Sequence, residues 1–161
     1  MISEIRSGGQ TGVDRAALDA AMAHGVPCAG WIPRRRRAED GRVPGRYTAL
    51  VETPDDAYET RTAWNVRDAD ATLVITIGDL SGGSLLTVEI AARLGRPHLV
   101  LDLDAQDPER AVAAVHAWLA ALSQPVRLNV AGPRAANAPG IYDRARALLD
   151  AVLNVPNTRR V

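Results

Sequence analysis

Ala71-Thr72-Leu73-Val74-Ile75-Thr76-Ile77 is a near-continuous apolar run rich in β-branched residues. Such a run is the pattern of a parallel strand buried on both faces, because helices must then cover the sheet on each side. Upstream, 2–7 reads as an edge or first strand ending at Gly8-Gly9, and a helix opened by Thr11-Gly12 runs to about His24. Val13, Ala16, Ala17, Ala20 and Ala21 form its apolar stripe, and Gly25 closes it. Residues 26–30 suit a short strand, 31–57 is irregular, and 55–68 reads as a short polar helix. Downstream come a turn over 78–83, a helix over 84–94, the strand HLVLDL after Pro97, a helix over 107–122, a strand over 126–131 and a final helix from about 139 to 153. Strand and helix alternate about five times. The fold class expected is therefore α/β: a doubly wound, mainly parallel sheet with helices on both faces. One domain spans 1–154 and a tail spans 155–161.

Composition narrows the chemistry. The chain has 161 residues, and its 19 basic and 19 acidic residues give no net charge. A polyanion-binding protein carries a basic excess or a strongly basic face, so general nucleic-acid binding is disfavoured. All 19 basic residues are arginine. Without lysine there is neither a Walker A phosphate loop nor a Schiff-base enzyme. Cys28 is the one cysteine, and His24, His98 and His116 are scattered. Intramolecular disulfides, iron–sulfur clusters and cysteine-rich zinc sites are excluded, and no metal site is assigned. MISEIRSGG lacks a signal-peptide layout and no apolar run approaches a membrane span, so a soluble cytoplasmic protein is expected.

Three glycine-rich turns follow strands: Ser7-Gly8-Gly9-Gln10-Thr11-Gly12, Leu80-Ser81-Gly82-Gly83-Ser84 and Asn129-Val130-Ala131-Gly132-Pro133-Arg134. In doubly wound sheets ligands bind beyond the carboxyl ends of the strands. The first two turns feed helices, whose free N–H groups and dipole favour an anion. One such turn alone is also a plain tight connection; two glycine pairs with an arginine on the third turn favour a phosphate site. Arg34 to Arg37 offer planar forks for oxyanions, or a solvated face. Asp14 suits a helix dipole, and Glu89 either faces the ligand or pairs with Arg93. Asp68 and Asp70 suit caps or turns, and Trp31, Trp64 and Trp118 suit packing. Tyr58, Arg61 and Asn65 share a helix face that suits binding or an oligomer contact. No Ser–His–Asp arrangement is present.

The stretches SGGQTGVDRAALDAA, GWIPRRRRAEDGRVPGRY, ETRTAWNVRDADATLVI, SGGSLLTVEIA and LNVAGPRAANAPGIY resemble the putative molybdenum carrier family, in that family's order, from about Ser7 to Tyr142. That family has a Rossmann-like fold and belongs with the SLOG group, which includes the lonely-guy phosphoribohydrolases and the DNA-processing protein A. The resemblance implies a pterin-phosphate or nucleotide-like ligand over the glycine turns. Its algal members hold molybdenum cofactor as homo-oligomers. By position, Gly8, Gly9, Gln10, Thr11 and Gly12 match the first binding turn, and Gly82, Gly83, Ser84 and Thr87 the second. Arg36, Arg37, Glu39 and Asp40 match a polar loop. The family's Cys-Pro-Lys-Gly-like run is here Ile32-Pro33-Arg34-Arg35, so no thiol stands there. The phosphoribohydrolase signature Gly-Gly-x-Gly-Thr-x-x-Glu is met only by Gly82, Gly83 and Glu89.

The leading expectation is a carrier. The glycine-turn amides take the phosphate, and Arg36, Arg37 and Arg134 add positive charge. Molybdenum cofactor is the cargo, otherwise a nucleotide. The carrier is a homo-oligomer, dimer or tetramer, served by molybdoenzymes or cofactor-synthesis partners. The alternatives are a nucleotide-processing enzyme using Glu89 or Asp14 for acid–base work, and a nucleotide sensor.

Overall fold

The computed structural model describes residues 1–154; the expected tail over 155–161 lies outside the described residues. Five parallel strands form the central sheet: β1 (Ile2–Arg6), β2 (Cys28–Ala29), β7 (Ala71–Thr76), β8 (His98–Asp102) and β9 (Val126–Ala131). Their order across the sheet is β2-β1-β9-β7-β8. All six residues of β7 are buried, as a strand covered on both faces requires. β1 is flanked by β2 and β9, so it is an inner strand and not an edge. Counted from β9 as the first strand, the order is that of the Rossmann sheet, 3-2-1-4-5, so the chain begins at what would be the second strand.

Two layers of helix cover the sheet. On one face, α1 (Val13–Ala23), α4 (Pro108–Ala120) and α5 (Ile141–Leu153) bury Ala17, Val115 and Leu148 against Ile5, Leu73, Ile75 and Leu128. Phenylalanine is absent, and the alanines of α1 let it pack closely against the sheet and α5. On the other face, α2 (Tyr58–Asp68) and α3 (Gly82–Arg93) meet around Val66, Ile90 and Ala91. The α3 helix starts at Gly82, two residues earlier than its periodicity predicts, so the Gly82-Gly83 pair is its first turn and not a preceding loop.

Residues 31–57, expected as one long irregular loop, contain four two-residue strands: β3 (Trp31–Ile32), β4 (Arg37–Ala38), β5 (Gly41–Arg42) and β6 (Val51–Glu52). β3 pairs with β6, and β4 with β5. Ile32, Ala38, Val43, Tyr47 and Leu50 close a small core on Leu18 of α1. Strands of two residues are too short to show a period, which is why this substructure is silent in the sequence. No helix among the described residues is long and apolar enough to cross a membrane.

Candidate functional site

A cavity of about 480 Å³ opens at the carboxyl ends of β9 and β7. This is the switch point of the sheet, where strands on either side run off in opposite order. Asn129 to Gly132 and Thr76-Ile77 form its floor. The first turn of α3 supplies Ser81, Gly82, Gly83 and Ser84, with Leu86 and Thr87 behind. The α2 face supplies Tyr58, Glu59, Arg61, Thr62 and Asn65. The β1–α1 turn adds Gly8, Gln10 and Asp14, and the segment after β9 adds Pro133, Arg134, Asn137 and Ala138.

The two glycine turns differ. In the first, the protein itself uses four of the amides. Gly9 N donates to Ser7 Oγ (3.2 Å), Gln10 N to Asp14 Oδ2 (3.1 Å), Thr11 N to Gln10 Oε1 (3.1 Å) and Val13 N to Pro133 O (3.3 Å). In the second, the amides of Gly82, Gly83 and Ser84 have no hydrogen-bond partner among the described residues, and no side chain caps the helix. The first amide of α3 used internally is that of Leu85, which donates to Ser81 O (3.3 Å). Ser84 is buried, yet its hydroxyl makes no hydrogen bond among the described residues and is not sealed from the cavity. Thr87 instead donates to Gly83 O (2.7 Å), tightening that turn.

Asp14 lies in the first turn of α1 and is 3% exposed. Arg61 Nη1 reaches across from α2 and donates to its Oδ2 at 2.9 Å. Gly8 makes this possible: a Cβ there would stand 1.8 Å from Arg61 Nη1. Burial pushes the Asp14 carboxyl above its ordinary range, while the Arg61 charge, the Gln10 amide and Arg15 pull it back. Arg61 Nε is buried without a partner among the described residues. Asn65, on the same helix face, exchanges two hydrogen bonds with the Trp31 backbone (2.8 and 2.9 Å), fixing α2 to β3.

The structure thus brings Gly8, Gln10, Gly82, Gly83, Ser84, Thr87, Arg134 and Asp14 to one cavity. Gly9 backs onto Ile32 and Val43, and Gly12 lies against the Pro133 carbonyl, both behind the lining. Thr11 hydrogen-bonds Glu39 and accepts from Ala135 N (3.0 Å). Glu39 also accepts from Ala136 N (3.2 Å) and meets Arg134 at 3.4 Å, so it clamps the third turn to the first. Asp40 pairs with both terminal nitrogens of Arg15 (2.5 and 2.8 Å). The Arg36 guanidinium donates to the carbonyls of Val43, Pro44 and Tyr47. Arg37 donates to Asp56 O and stacks 4.4 Å over Tyr58, whose other neighbour is Arg61 at 5.5 Å. Neither Arg36 nor Arg37 lines the cavity, and Glu89 lies on the exposed side of α3. Asp68 accepts from Trp31 Nε1 (2.7 Å), and Asp70 takes both forks of Arg127. Trp31 packs edge-on against Trp64.

Thr76, Thr62 and Asn137 line the cavity without having been singled out in the sequence. Their only advance signal is Thr76, a hydroxyl at the end of an otherwise apolar strand. Among the described residues no three of His, Cys, Asp and Glu converge as metal ligands. Cys28 sits outside this cavity, its thiol pushed up by burial.

Parallel strands, a cavity at the switch point and a free helix N-terminus on its wall define a Rossmann-like α/β domain with a candidate site at its switch point. The chain matches the circularly permutated YpsA SLOG family over residues 5–153 and belongs to it. The permutation is visible in the strand order, with β9 in the first strand's place and β1 in the second's. The chain is also similar to the crystal structure of a putative molybdenum carrier protein from Syntrophus aciditrophicus SB. The two are 45% identical, with a TM-score of 0.90 over 94% of this chain and 95% of that one. No curated protein matches the sequence significantly.

Proposed function

We propose that this chain is a small-molecule carrier holding a phosphate-bearing ligand over the N-terminus of α3, with molybdenum cofactor as its cargo. One observation carries the reading: three unpartnered amides and a buried, unpartnered Ser84 hydroxyl on the wall of a cavity at the switch point. Hydrogen bonds to a charged group contribute roughly 1.5–3 kcal/mol each. Four of them, helped by the helix dipole, meet the roughly 8 kcal/mol that micromolar binding needs. Gly82, Gly83 and Ser84 take the phosphate, and Thr87 braces their turn. Gly8 and Gln10 border the rest of the ligand, with Arg134 beside them. Gly9, Thr11 and Gly12 act by shaping the first turn, and Arg36 and Arg37 by holding the loop over α2. The name of the Syntrophus neighbour supports the choice of cargo. The reading includes a cytoplasmic homo-oligomer, dimer or tetramer, that exchanges cargo with molybdoenzymes or cofactor-synthesis proteins.

Native mass spectrometry tests it, with cofactor released anaerobically from a donor and AMP as competitor. One cofactor per subunit that AMP does not displace is the expected result. AMP adducts without cofactor adducts would overturn the cargo. The buried Asp14 carboxyl inside the cavity favours one second reading, a nucleotide-processing enzyme. Release of free base from nucleoside monophosphates, lost in Asp14→Asn, would establish it.

A further inference from the structure

We propose that Gln10 and Asp14 read the edge of the ligand's flat heterocycle and select a lactam, a ring N–H beside a carbonyl. This rests on the binding reading above and adds the chemistry of the end that is not phosphate. Gln10 is 6% exposed and lines the cavity. Its Oε1 accepts from two backbone amides, Thr11 N at 3.1 Å and Glu39 N at 2.9 Å. Both partners are donors, so the carboxamide has one orientation and its NH2 must be the other end. That NH2 has no partner among the described residues and is not sealed, so it opens to the cavity. Asp14 behaves in the complementary way. Its Oδ2 takes Gln10 N and Arg61 Nη1, while Oδ1 accepts nothing among the described residues and is likewise unsealed.

A fixed donor and a free carboxylate oxygen therefore stand in one turn, joined by the Gln10 amide itself. Neither group has a protein partner among the described residues, so a ligand that displaces water from the cavity must satisfy both or leave them unpaired at a cost. Asp14 needs an N–H and Gln10 needs an acceptor. A lactam edge supplies the two side by side. Its ring N–H is a more acidic donor than an exocyclic amine, so it bonds a carboxylate more strongly, and its carbonyl is a better acceptor than a ring nitrogen. Adenine presents the weaker member of each pair. Guanine-type bases and pterins share the lactam edge, and a site built to satisfy buried polar groups rejects ligands that leave them unpaired.

Calorimetric titration of the full chain tests this with GMP, a pterin monophosphate, AMP, ribose 5-phosphate and inorganic phosphate. At least one of GMP and the pterin should bind about tenfold or more tighter than AMP. The tighter of the two identifies the source of the edge. Gln10→Glu keeps the acceptor for Thr11 and Glu39 but replaces the donor, and should erase the preference while inorganic phosphate affinity moves less than about threefold. Asp14→Asn should also erase it; if that variant fails to fold, Gln10→Glu decides alone. AMP binding as tightly as both lactams, or a lactam preference surviving in Gln10→Glu, would overturn the assignment while phosphate binding persists. Absence of binding by every phosphate would instead overturn the carrier reading itself.

Discussion

The β1–α1 turn and the first turn of α3 carry similar sequence signals, a glycine pair after a strand and before a helix, yet they are in opposite states. The first is closed. Ser7, Gln10, Asp14 and Pro133 take up the amides of Gly9, Gln10, Thr11 and Val13, and its glycines make room for a guanidinium and a carbonyl. The second is open, with free amides and glycines whose Cβ would meet nothing within 4 Å. A glycine-rich turn is an anion site only where the surrounding chain leaves its donors unclaimed. Side chains that accept hydrogen bonds, such as Ser7 and Asp14, turn the same backbone into a structural joint.

The largest expected effect breaks the closed turn. Arg61→Met leaves the Asp14 carboxylate buried without its ion partner, which destabilises by about 3–5 kcal/mol. Urea denaturation reads this directly, and a midpoint near wild type would show that the pair does not hold the turn. Next is Gly12→Ala. Gly12 has φ +79°, and a Cβ there would fall 2.4 Å from the Pro133 carbonyl. A loss of roughly 2–4 kcal/mol is expected from strain and displacement. The open turn should respond in the opposite sense. Ser84→Ala should weaken inorganic phosphate binding about tenfold, as loss of one charge-assisted bond, with the thermal midpoint unchanged; equal affinities would remove Ser84 from the site. A smaller effect concerns the helix facing both turns. Hydrogen bonding from Arg67, then from Trp31, holds the Asp68 carboxyl at about 2, below its ordinary 3.8. The folded pKa is the lower one, so this stabilisation is complete above pH about 4 and fades as pH falls towards about 2. Asp68→Asn should flatten that stretch of the acid-unfolding profile. The smallest effect is Gly83→Ala, which should leave stability within about 1 kcal/mol of wild type, in contrast to Gly12→Ala.

Elements with long periods were legible in the sequence. Continuous apolar runs such as 71–77 announce buried parallel strands, and alanine spacing announces α1. Strand order was not, because parallel strands choose neighbours through crossovers, and nothing in VRLNVA says that it enters between β1 and β7. The cavity's location follows from the fold class, and Gly82, Gly83 and Ser84 from the turn. Which amides are free was hidden, since it depends on acceptors such as Pro133 O from across the chain. The role of Gly8 depends on Arg61, whose partner Asp14 is 47 residues away. Arg36 shows the other limit: an exposed-looking arginine run contains one guanidinium that satisfies three backbone carbonyls of its own loop.

The place of β9 also governs how the molecule can be made. Ile5 of the first strand lies in register opposite Leu128, and that last strand in turn pairs with β7, Val130 opposite Leu73. During synthesis β1 with β2, and β7 with β8, emerge as two half-sheets with no strand between them. Each exposes an open edge until residues 126–131 leave the ribosome. Such late, long-range closure gives a high contact order and slow folding. Nascent chains truncated before Val126 should therefore be the aggregation-prone species, and joining α5 to β1 while opening the chain before β9 should shorten that exposure.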